Sequence, residues 1–139
     1  MNYLLDTCVI SELASKQPDA RVVEWVDSLP SERMYLSVIT IGEIRKGIEK
    51  LQESKRKEAL RSWLQDELLV RFRDRIVVLD LGALLTWGDL AAALARQGRP
   101  LPAMDSLLAA TALHHDFVFA TRNEDDFSRT GVKLLNPWT

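Results

Sequence analysis

Short apolar runs alternate with longer amphipathic segments along the whole chain. Five runs are short and apolar enough to form buried strands, namely Tyr3–Leu5, Met34–Val38, Ile76–Leu79, Phe117–Ala120 and Lys133–Leu135. Between them apolar residues recur at helical spacing, as at Ile41, Ile44, Ile48 and Leu51. This alternation predicts an α/β fold built on a parallel sheet.

Proline and glycine fall between the predicted elements. Pro18 and Pro30 flank a short predicted helix, Gly98 ends a long one, and Gly131 leads into the last strand. No linker, repeat or low-complexity tract interrupts this order. Because the length is usual for one domain, we expect a single domain over residues 1–139.

The composition indicates the cellular compartment of the protein but does not indicate its substrate. The formal net charge of −2 argues against a strongly basic nucleic-acid binder and against a disordered acidic tail. Cys8 is the only cysteine, so no internal disulfide can form. No apolar segment approaches the roughly twenty residues of a membrane span, and the N-terminus lacks an export signal. We expect a cytoplasmic protein without membrane contact.

Three acidic residues lie far apart in the chain but at equivalent places in the predicted fold. Asp6 and Glu43 each follow an apolar run, and Asp105 lies at a proline-bounded helix start. The carboxyl ends of parallel strands meet at one edge of a sheet, where ligands collect, so these acids can converge. Carboxylate oxygens suit Mg²⁺ and similar hard cations. The spacing therefore suggests a metal site.

Each acid taken alone also has an ordinary interpretation. Thr40 and Glu43 have the spacing of a helix capping box. Asp105 could be a helix N-cap or a first-turn acid favoured by the helix dipole, and Asp6 could cap the helix after the first strand. Only the shared position at the mouth of the sheet favours a joint role for the three.

A fourth polar cluster follows the strand predicted at Phe117–Ala120. It runs from Thr121 to Asp126 and brings further oxygen-bearing side chains to the same edge. Most of its acids are interpreted as a solvated loop. Asn123 and Asp126 are the candidates that could reach a cation directly or through water.

Four segments in fixed order, and a short terminal one, resemble the motifs of a known family. These segments are Leu5–Glu12, Ser37–Glu43, Gly98–Ala112, Ala120–Phe127 and Asn136–Trp138. They are similar to the motifs of PIN-domain ribonucleases, in particular the VapC toxins of bacterial toxin–antitoxin pairs, with a FitB-like branch left open. The likeness covers nearly the whole chain.

The resemblance implies a fold, an activity and a set of site residues. The implied fold is a small α/β/α sandwich with central strand order 3-2-1-4-5. Asp6, Glu43 and Asp105 would bind Mg²⁺ or Mn²⁺ and support hydrolysis of RNA, leaving a 5′ phosphate and a 3′ hydroxyl. Candidates for supporting these ligands, or for contacting phosphate, are Thr7, Thr40, Thr121 and Arg122.

Two positions depart from the family pattern. Cys8 stands where many members have Asn, and it is interpreted as a small buried residue rather than a nucleophile. Asn123 stands where some members carry a fourth Asp. A neutral amide there lowers the negative charge of the site, which would weaken a second metal or shift that role to Asp126.

The resemblance also implies partners. Toxins of this kind form homodimers, are silenced by a VapB-type antitoxin in a larger hetero-oligomer, and contact DNA through that antitoxin. The RNA substrate, with tRNA one candidate, would meet a basic stretch over residues 45–61 that has seven cationic and three acidic side chains. The ordinary interpretation of this stretch is a solvated helix with pairs such as Glu53 with Lys57.

Two other functional classes stay open. A PIN-like module could bind RNA or a protein without cutting, although retention of all three acids argues against this. A phosphohydrolase of the aspartyl-phosphate type would use Asp6 as nucleophile. Such enzymes usually need a second Asp two residues later, where this chain has Cys8.

Overall fold

The computed structural model describes residues 1–139 and contains one five-stranded sheet. The strands are β1 (Tyr3–Leu5), β2 (Met34–Ser37), β3 (Ile76–Val77), β4 (Val118–Ala120) and β5 (Lys133–Leu135). They lie in the order β3-β2-β1-β4-β5, and all neighbours pair in parallel. The predicted order 3-2-1-4-5 is therefore confirmed, and all five carboxyl ends meet at one edge.

Eight helices surround this sheet. They are α1 (Thr7–Leu13), α2 (Ala20–Ser28), α3 (Val38–Glu49), α4 (Lys55–Trp63), α5 (Leu69–Arg71), α6 (Leu81–Arg96), α7 (Ala103–His115) and α8 (Glu124–Phe127). A π-helical turn over Leu64–Leu68 joins α4 to α5, and a 3-10 turn over Ser31–Arg33 precedes β2. None of the helices has both the length and the apolar character that a bilayer-spanning segment requires.

The sheet separates two apolar cores, as expected for an α/β/α sandwich. One core lies against α1 to α5 and includes Val9, Ile10, Val26, Ile48, Leu68 and Phe72. The other lies against α6, α7 and α8 and includes Leu90, Leu94, Leu108, Ala112, Phe119 and Phe127. Burial of these two faces fixes which ends of the helices reach the sheet's carboxyl edge.

Two predicted strands are too long at their carboxyl ends. Val38 does not extend β2, because Ser37 accepts a hydrogen bond from the Ile39 amide (3.0 Å) and so begins α3. The strand predicted over Ile76–Leu79 ends at Val77, the last residue paired with β2. Both strands therefore end before the apolar runs in the sequence end.

The strand predicted at Phe117–Ala120 is one residue too long at its start. The amide of Phe117 donates to the carbonyl of Ala112 (2.9 Å) and closes the end of α7. The backbone reverses there through Asp116, whose φ of 56° lies in the left-handed region. Only Val118–Ala120 joins the sheet.

The capping-box interpretation of Thr40 and Glu43 is wrong. Because Ser37 is the N-cap of α3, Thr40 lies within the first turn and Glu43 in the second. Thr40 is fully buried, and its hydroxyl lies 3.1 Å from the Thr7 hydroxyl instead of capping an amide. Glu43 therefore does not cap the helix, as its spacing from Thr40 had suggested.

Candidate active site

Asp6 lies at the end of the central strand with almost no exposure to solvent. Its amide continues the sheet by donating to the carbonyl of Ala120 (2.9 Å). One carboxylate oxygen accepts from the Thr7 amide (2.7 Å) and the other from the Thr121 hydroxyl (2.7 Å). Burial raises the pKa of Asp6, although these hydrogen bonds oppose the rise. Asp6 thus caps α1 and also presents a buried carboxylate at the mouth of the sheet.

Glu43 approaches from α3 and is held by a residue of α1. The Thr7 hydroxyl donates to Glu43 Oε1 over 2.7 Å, and the Thr40 hydroxyl lies beside it. No hydrogen bond or ion pair of the protein reaches Oε2. Of the predicted supporting residues, Thr7 therefore orients Glu43 directly and leaves one of its oxygens free, while Thr40 lies beside the Thr7 hydroxyl.

Asp105 lies in the first turn of α7, where Pro102 is the N-cap residue. It is half-buried, and its carboxylate accepts no hydrogen bond from the protein. Burial raises the pKa of Asp105, and the charges of Asp6, Glu43 and Asp126 raise it further. The charges of the other three acids thus reach Asp105, and we call these four residues the acidic cluster.

Thr121 and Asn123 connect β4 to this cluster. Thr121 is fully buried, donates to Asp6, and accepts the amide of Asn123 over 3.1 Å. The side chain of Asn123 is exposed at the start of α8 and forms no hydrogen bond. It lies with Asp126 in a polar surface depression that also includes Asn136.

Arg122 lies beside the polar depression that contains Asn123 and Asp126, and its guanidinium contacts an aromatic ring. Its guanidinium lies 5.3 Å from the ring centroid of Trp138, in cation–π geometry, and it forms no ion pair. Trp138 is buried and donates from its indole nitrogen to Glu12 Oε1 (3.2 Å). The pairing of Arg122 with Asp125 or Asp126, considered from the sequence, does not occur.

Cys8 has the environment of a structural thiol. Its sulfur lies 3.5 Å from Asp6 Oδ2 and 3.8 Å from the Thr121 hydroxyl. Burial and the nearby charge of Asp6 raise the pKa of Cys8 to about 11. The thiol is therefore protonated at neutral pH and acts as a weak donor to Asp6. Cys8 is half-buried, and not fully buried as the sequence had suggested.

The basic stretch over residues 45–61 divides into two parts. Lys57 is buried and donates to the carbonyls of Glu49 (3.3 Å) and Leu51 (3.0 Å) and to Glu53 (2.9 Å). Arg61 binds Glu49 at 2.8 Å. These two cations therefore hold the α3–α4 connection. The predicted pair of Glu53 with Lys57 forms, but Glu53 lies in that connection and Lys57 is buried, so the interpretation of this stretch as a solvated helix is wrong here.

Lys57→Ala is expected to lower the free energy of unfolding by about 2 kcal/mol, because it leaves two carbonyl groups without their shared donor. Lys55→Ala, at the exposed start of the same helix, should change it by less than about 0.5 kcal/mol. Urea denaturation of the two variants measures the difference. Equal stability of both would show that Lys57 has no structural role.

Two further lysines of the basic stretch, one in α3 and one at its C-cap, lie in a groove beside Glu43. Lys46 and Lys50 are exposed, form no ion pair, and line a groove with Glu43, Leu79 and Met104, which we call the lysine groove. The sequence placed these lysines in the basic stretch but did not indicate Leu79 or Met104. Those two apolar residues reach the groove from the end of β3 and the start of α7, and no local pattern links them.

A second groove begins on the other side of Glu43. It runs between α1, α3 and α4, and half of its lining residues are apolar, among them Ile44, Ile48, Leu60 and Trp63. We call it the apolar groove. Because Thr7 and Glu43 are also among its lining residues, a chain segment bound in this groove would contact a member of the acidic cluster.

Comparison with known proteins identifies relatives over nearly the full length. The family model described as PIN domain matches residues 3–133. VapC ribonuclease Y4jK of Sinorhizobium fredii is 37% identical, with 97% of this chain and 96% of the relative covered. Toxin FitB of Neisseria gonorrhoeae is 38% identical, with 97% of each chain covered.

Solved structures agree in fold as well as in sequence. A crystal structure of FitAcB from Neisseria gonorrhoeae aligns with a TM-score of 0.92 at 38% identity, covering 98% of both chains. VapBC2 from Rickettsia felis, bound to a DNA fragment from its promoter, aligns with a TM-score of 0.83 at 26% identity, also over 98% of both chains. This chain belongs to the PIN domain family, within the group that includes VapC ribonuclease Y4jK and toxin FitB.

Proposed function

We propose that this protein is a divalent-metal-dependent endoribonuclease that acts as the toxin of a toxin–antitoxin pair. The observation that carries the proposal is the acidic cluster, which gathers Asp6, Glu43, Asp105 and Asp126 at the carboxyl edge of the sheet. Relatives named as a VapC ribonuclease and as a toxin, each matched over nearly the full length, support the same function.

The acidic cluster fits Mg²⁺ or Mn²⁺. None of its carboxylates forms an ion pair with a lysine, arginine or histidine, so their mutual repulsion is not balanced within the protein. Asp105 and Glu43 Oε2 are free to accept ligands, and burial leaves Asp6 poorly hydrated. A hard cation bound by these oxygens would offset the repulsion between the carboxylates and the poor hydration of Asp6. We assign Asp6, Glu43 and Asp105 as its ligands, with Asp126 and Asn123 as further candidates.

The chain's own residues would prepare this site for phosphodiester hydrolysis. A bound divalent cation lowers the pKa of water and stabilises charge on phosphate oxygens. Thr121 and Thr7 fix Asp6 and Glu43 by hydrogen bonds of 2.7 Å each, so both carboxylates are oriented before substrate arrives. Cys8 supplies the third donor to Asp6 in place of the usual amide.

The lysine groove is our candidate path for the RNA backbone. Lys46 lies in the last turn of α3, and Lys50 is the C-cap residue of that helix. Both line the groove that Glu43 also lines, and neither has an acidic partner. A phosphate backbone held by these two cations would pass directly over the acidic cluster. In this proposal the two lysines hold the phosphate backbone, and the acidic cluster beside them binds the metal.

Lys46→Ala is expected to raise the KM for RNA by about threefold to tenfold, because one phosphate contact is lost, and to leave kcat nearly unchanged. The salt dependence of KM should weaken by about one unit in its logarithmic slope. Lys55→Ala is the matched control, since Lys55 lies outside the groove. Steady-state cleavage at several salt concentrations measures both effects, and an unchanged KM would exclude Lys46 from the RNA path.

The apolar groove is our candidate site for a VapB-type antitoxin. An extended or helical segment could bury apolar side chains against Ile48, Leu60 and Trp63 and end beside Glu43. An antitoxin bound there would restrict access to the acidic cluster. The promoter DNA bound by the Rickettsia felis VapBC2 complex supports an assembly that contacts DNA through its antitoxin. We further propose a homodimeric, cytoplasmic toxin within that assembly.

The experiment that tests the function is cleavage of total cellular RNA, and of purified tRNA, by the isolated protein with Mg²⁺ or Mn²⁺. We expect discrete fragments with a 5′ phosphate, full loss of cleavage in EDTA, and restoration by excess metal. Equal cleavage with and without EDTA would contradict metal dependence. Binding of RNA without cleavage in any condition would favour the alternative, a non-catalytic PIN-like binding module.

A further inference from the structure

Both histidines of the chain lie together at a place remote from the acidic cluster. His114 and His115 end α7 and face Asp80, the N-cap residue of α6. His114 Nε2 lies 3.7 Å from Asp80 Oδ1, and His115 Nε2 lies 3.9 Å from Asp80 Oδ2. The three ligating atoms all lie within 4.8 Å of one another. The nitrogens of two different residues thus converge on one carboxylate.

Aromatic packing holds the imidazole of His115 in this position, and its Nε2 forms no hydrogen bond. Its ring stacks on Phe117, with centroids 5.5 Å apart, and meets the His114 ring edge-on at 4.8 Å. Its Nε2 is buried and has no hydrogen-bond partner. A buried polar atom without a hydrogen-bond partner destabilises the folded state. This nitrogen is therefore available to bind a ligand.

Gly82 makes room for the other imidazole. A Cβ at this position would lie 2.3 Å from Cε1 and 2.4 Å from Nε2 of His114, closer than any side chain tolerates. Glycine is otherwise unfavourable within a helix. The first turn of α6 therefore carries a residue that costs helix stability and permits His114 to lie against Asp80.

We propose that Asp80, His114 and His115 bind a transition-metal ion of the Zn²⁺ type. Two imidazole nitrogens and one carboxylate, with solvent in the remaining position, form a donor set that Zn²⁺ accepts in tetrahedral geometry. Ligand atoms at about 2.0–2.1 Å from Zn²⁺ lie about 3.3 Å apart, so small side-chain movements close the site. Mg²⁺ is disfavoured there because it prefers oxygen ligands.

This site is separate from the acidic cluster. Asp105 begins α7 and the histidines end it, so about ten residues of helix, or about 15 Å, lie between the two sites. An ion at the histidine site would connect the start of α6 to the end of α7. It would act as a clamp between the two helices that pack together along this side of the sheet, and it would not take part in phosphodiester hydrolysis.

The test follows the ring nitrogens of the histidines by NMR while Zn²⁺ is added to untagged protein. Because the chain has only two histidines, every imidazole signal belongs to this site. We expect the Nε2 resonances of both rings to change with one equivalent of Zn²⁺ and not with Mg²⁺. Zn²⁺ bound only by the acidic cluster would leave both unchanged, and that result would overturn the proposal.

Two variants on one helix provide the matched control. Gly82→Ala places a methyl group where the His114 ring lies, whereas Gly88→Ala adds one where nothing lies within 4 Å. We expect Gly82→Ala to weaken Zn²⁺ affinity by at least about tenfold and Gly88→Ala to leave it unchanged. If Gly82→Ala does not fold, His114→Gln replaces it and should weaken Zn²⁺ affinity by the same factor. Unchanged affinity in a folded Gly82→Ala or His114→Gln protein would refute the assignment.

Discussion

Asp105→Asn is expected to lower the rate of RNA cleavage at saturating Mg²⁺ by at least about 100-fold. The change removes one negative charge and one metal-binding oxygen from the acidic cluster. Stabilisation of phosphate charge by a metal is worth several kcal/mol, and about 3 kcal/mol corresponds to about 100-fold in rate. Asp105 is the best single test because it is half-buried and forms no hydrogen bond that the substitution would break.

Two variants in α8 complete the comparison, and Asp125→Asn is the matched control. Asp126→Asn removes a charge that acts on Asp105, and Asp125→Asn removes a neighbouring exposed charge that does not. We expect a partial loss of activity for the first and less than a twofold change for the second. Initial rates on one purified RNA substrate, with folding checked by circular dichroism, measure all three variants. Wild-type activity in folded Asp105→Asn protein would remove Asp105 from the site.

Divalent cations are expected to reverse the order of stability between the wild type and Asp105→Asn. Burial and the charges of Asp6 and Glu43 raise the pKa of Asp105 in the folded state. A raised carboxyl pKa contributes stability below the pKa of the unfolded chain, near 3.8, and that contribution is lost as pH rises through the folded value. Without metal at pH 7, the neutral Asn variant should therefore be the more stable protein.

Mg²⁺ should stabilise the wild type and have little effect on the variant. At a free Mg²⁺ concentration 100 times the Kd, binding to the folded state adds about 2.7 kcal/mol, or roughly 8 °C in Tm. Thermal unfolding with EDTA and with Mg²⁺, at pH 7 and near pH 4, measures both effects. Identical Mg²⁺ shifts in the two proteins would contradict the role of Asp105 as a ligand.

Asp6 is a less clean test of the same site, for a reason that only the structure reveals. The sequence placed it directly after a strand, which suggested a position outside the core. It is in fact buried, and its carboxylate is held by Thr7, Thr121 and Cys8. Asp6→Asn would exchange an acceptor for a donor toward Thr121, so a stability change would accompany any loss of activity.

The order of strands and the convergence of the acids could be predicted from the sequence. Asp6 directly follows β1, Asp105 lies in the first turn of α7, and Glu43 lies in the second turn of the helix that follows β2. Parallel strands must end at the same edge of the sheet. The resemblance to a known family supplied the strand order, and the structure confirms it. Element boundaries were less well predicted, because the apolar runs extend beyond the sheet. Val38 continues a run after β2 has ended, and Phe117 begins a run before β4 starts.

The sequence alone thus determined the fold class and the residues at the mouth of the sheet, since both depend on periodicity and local order. Only the tertiary structure decided which charged side chains are free to bind a substrate or a metal. Lys57 and Lys46 look equivalent in one basic stretch, yet Lys57 is buried among carbonyl groups and Lys46 lines a groove beside Glu43. Likewise, Asp80 and the two histidines meet only because α6 packs against α7. Contacts between distant segments depend on packing, which no local pattern records.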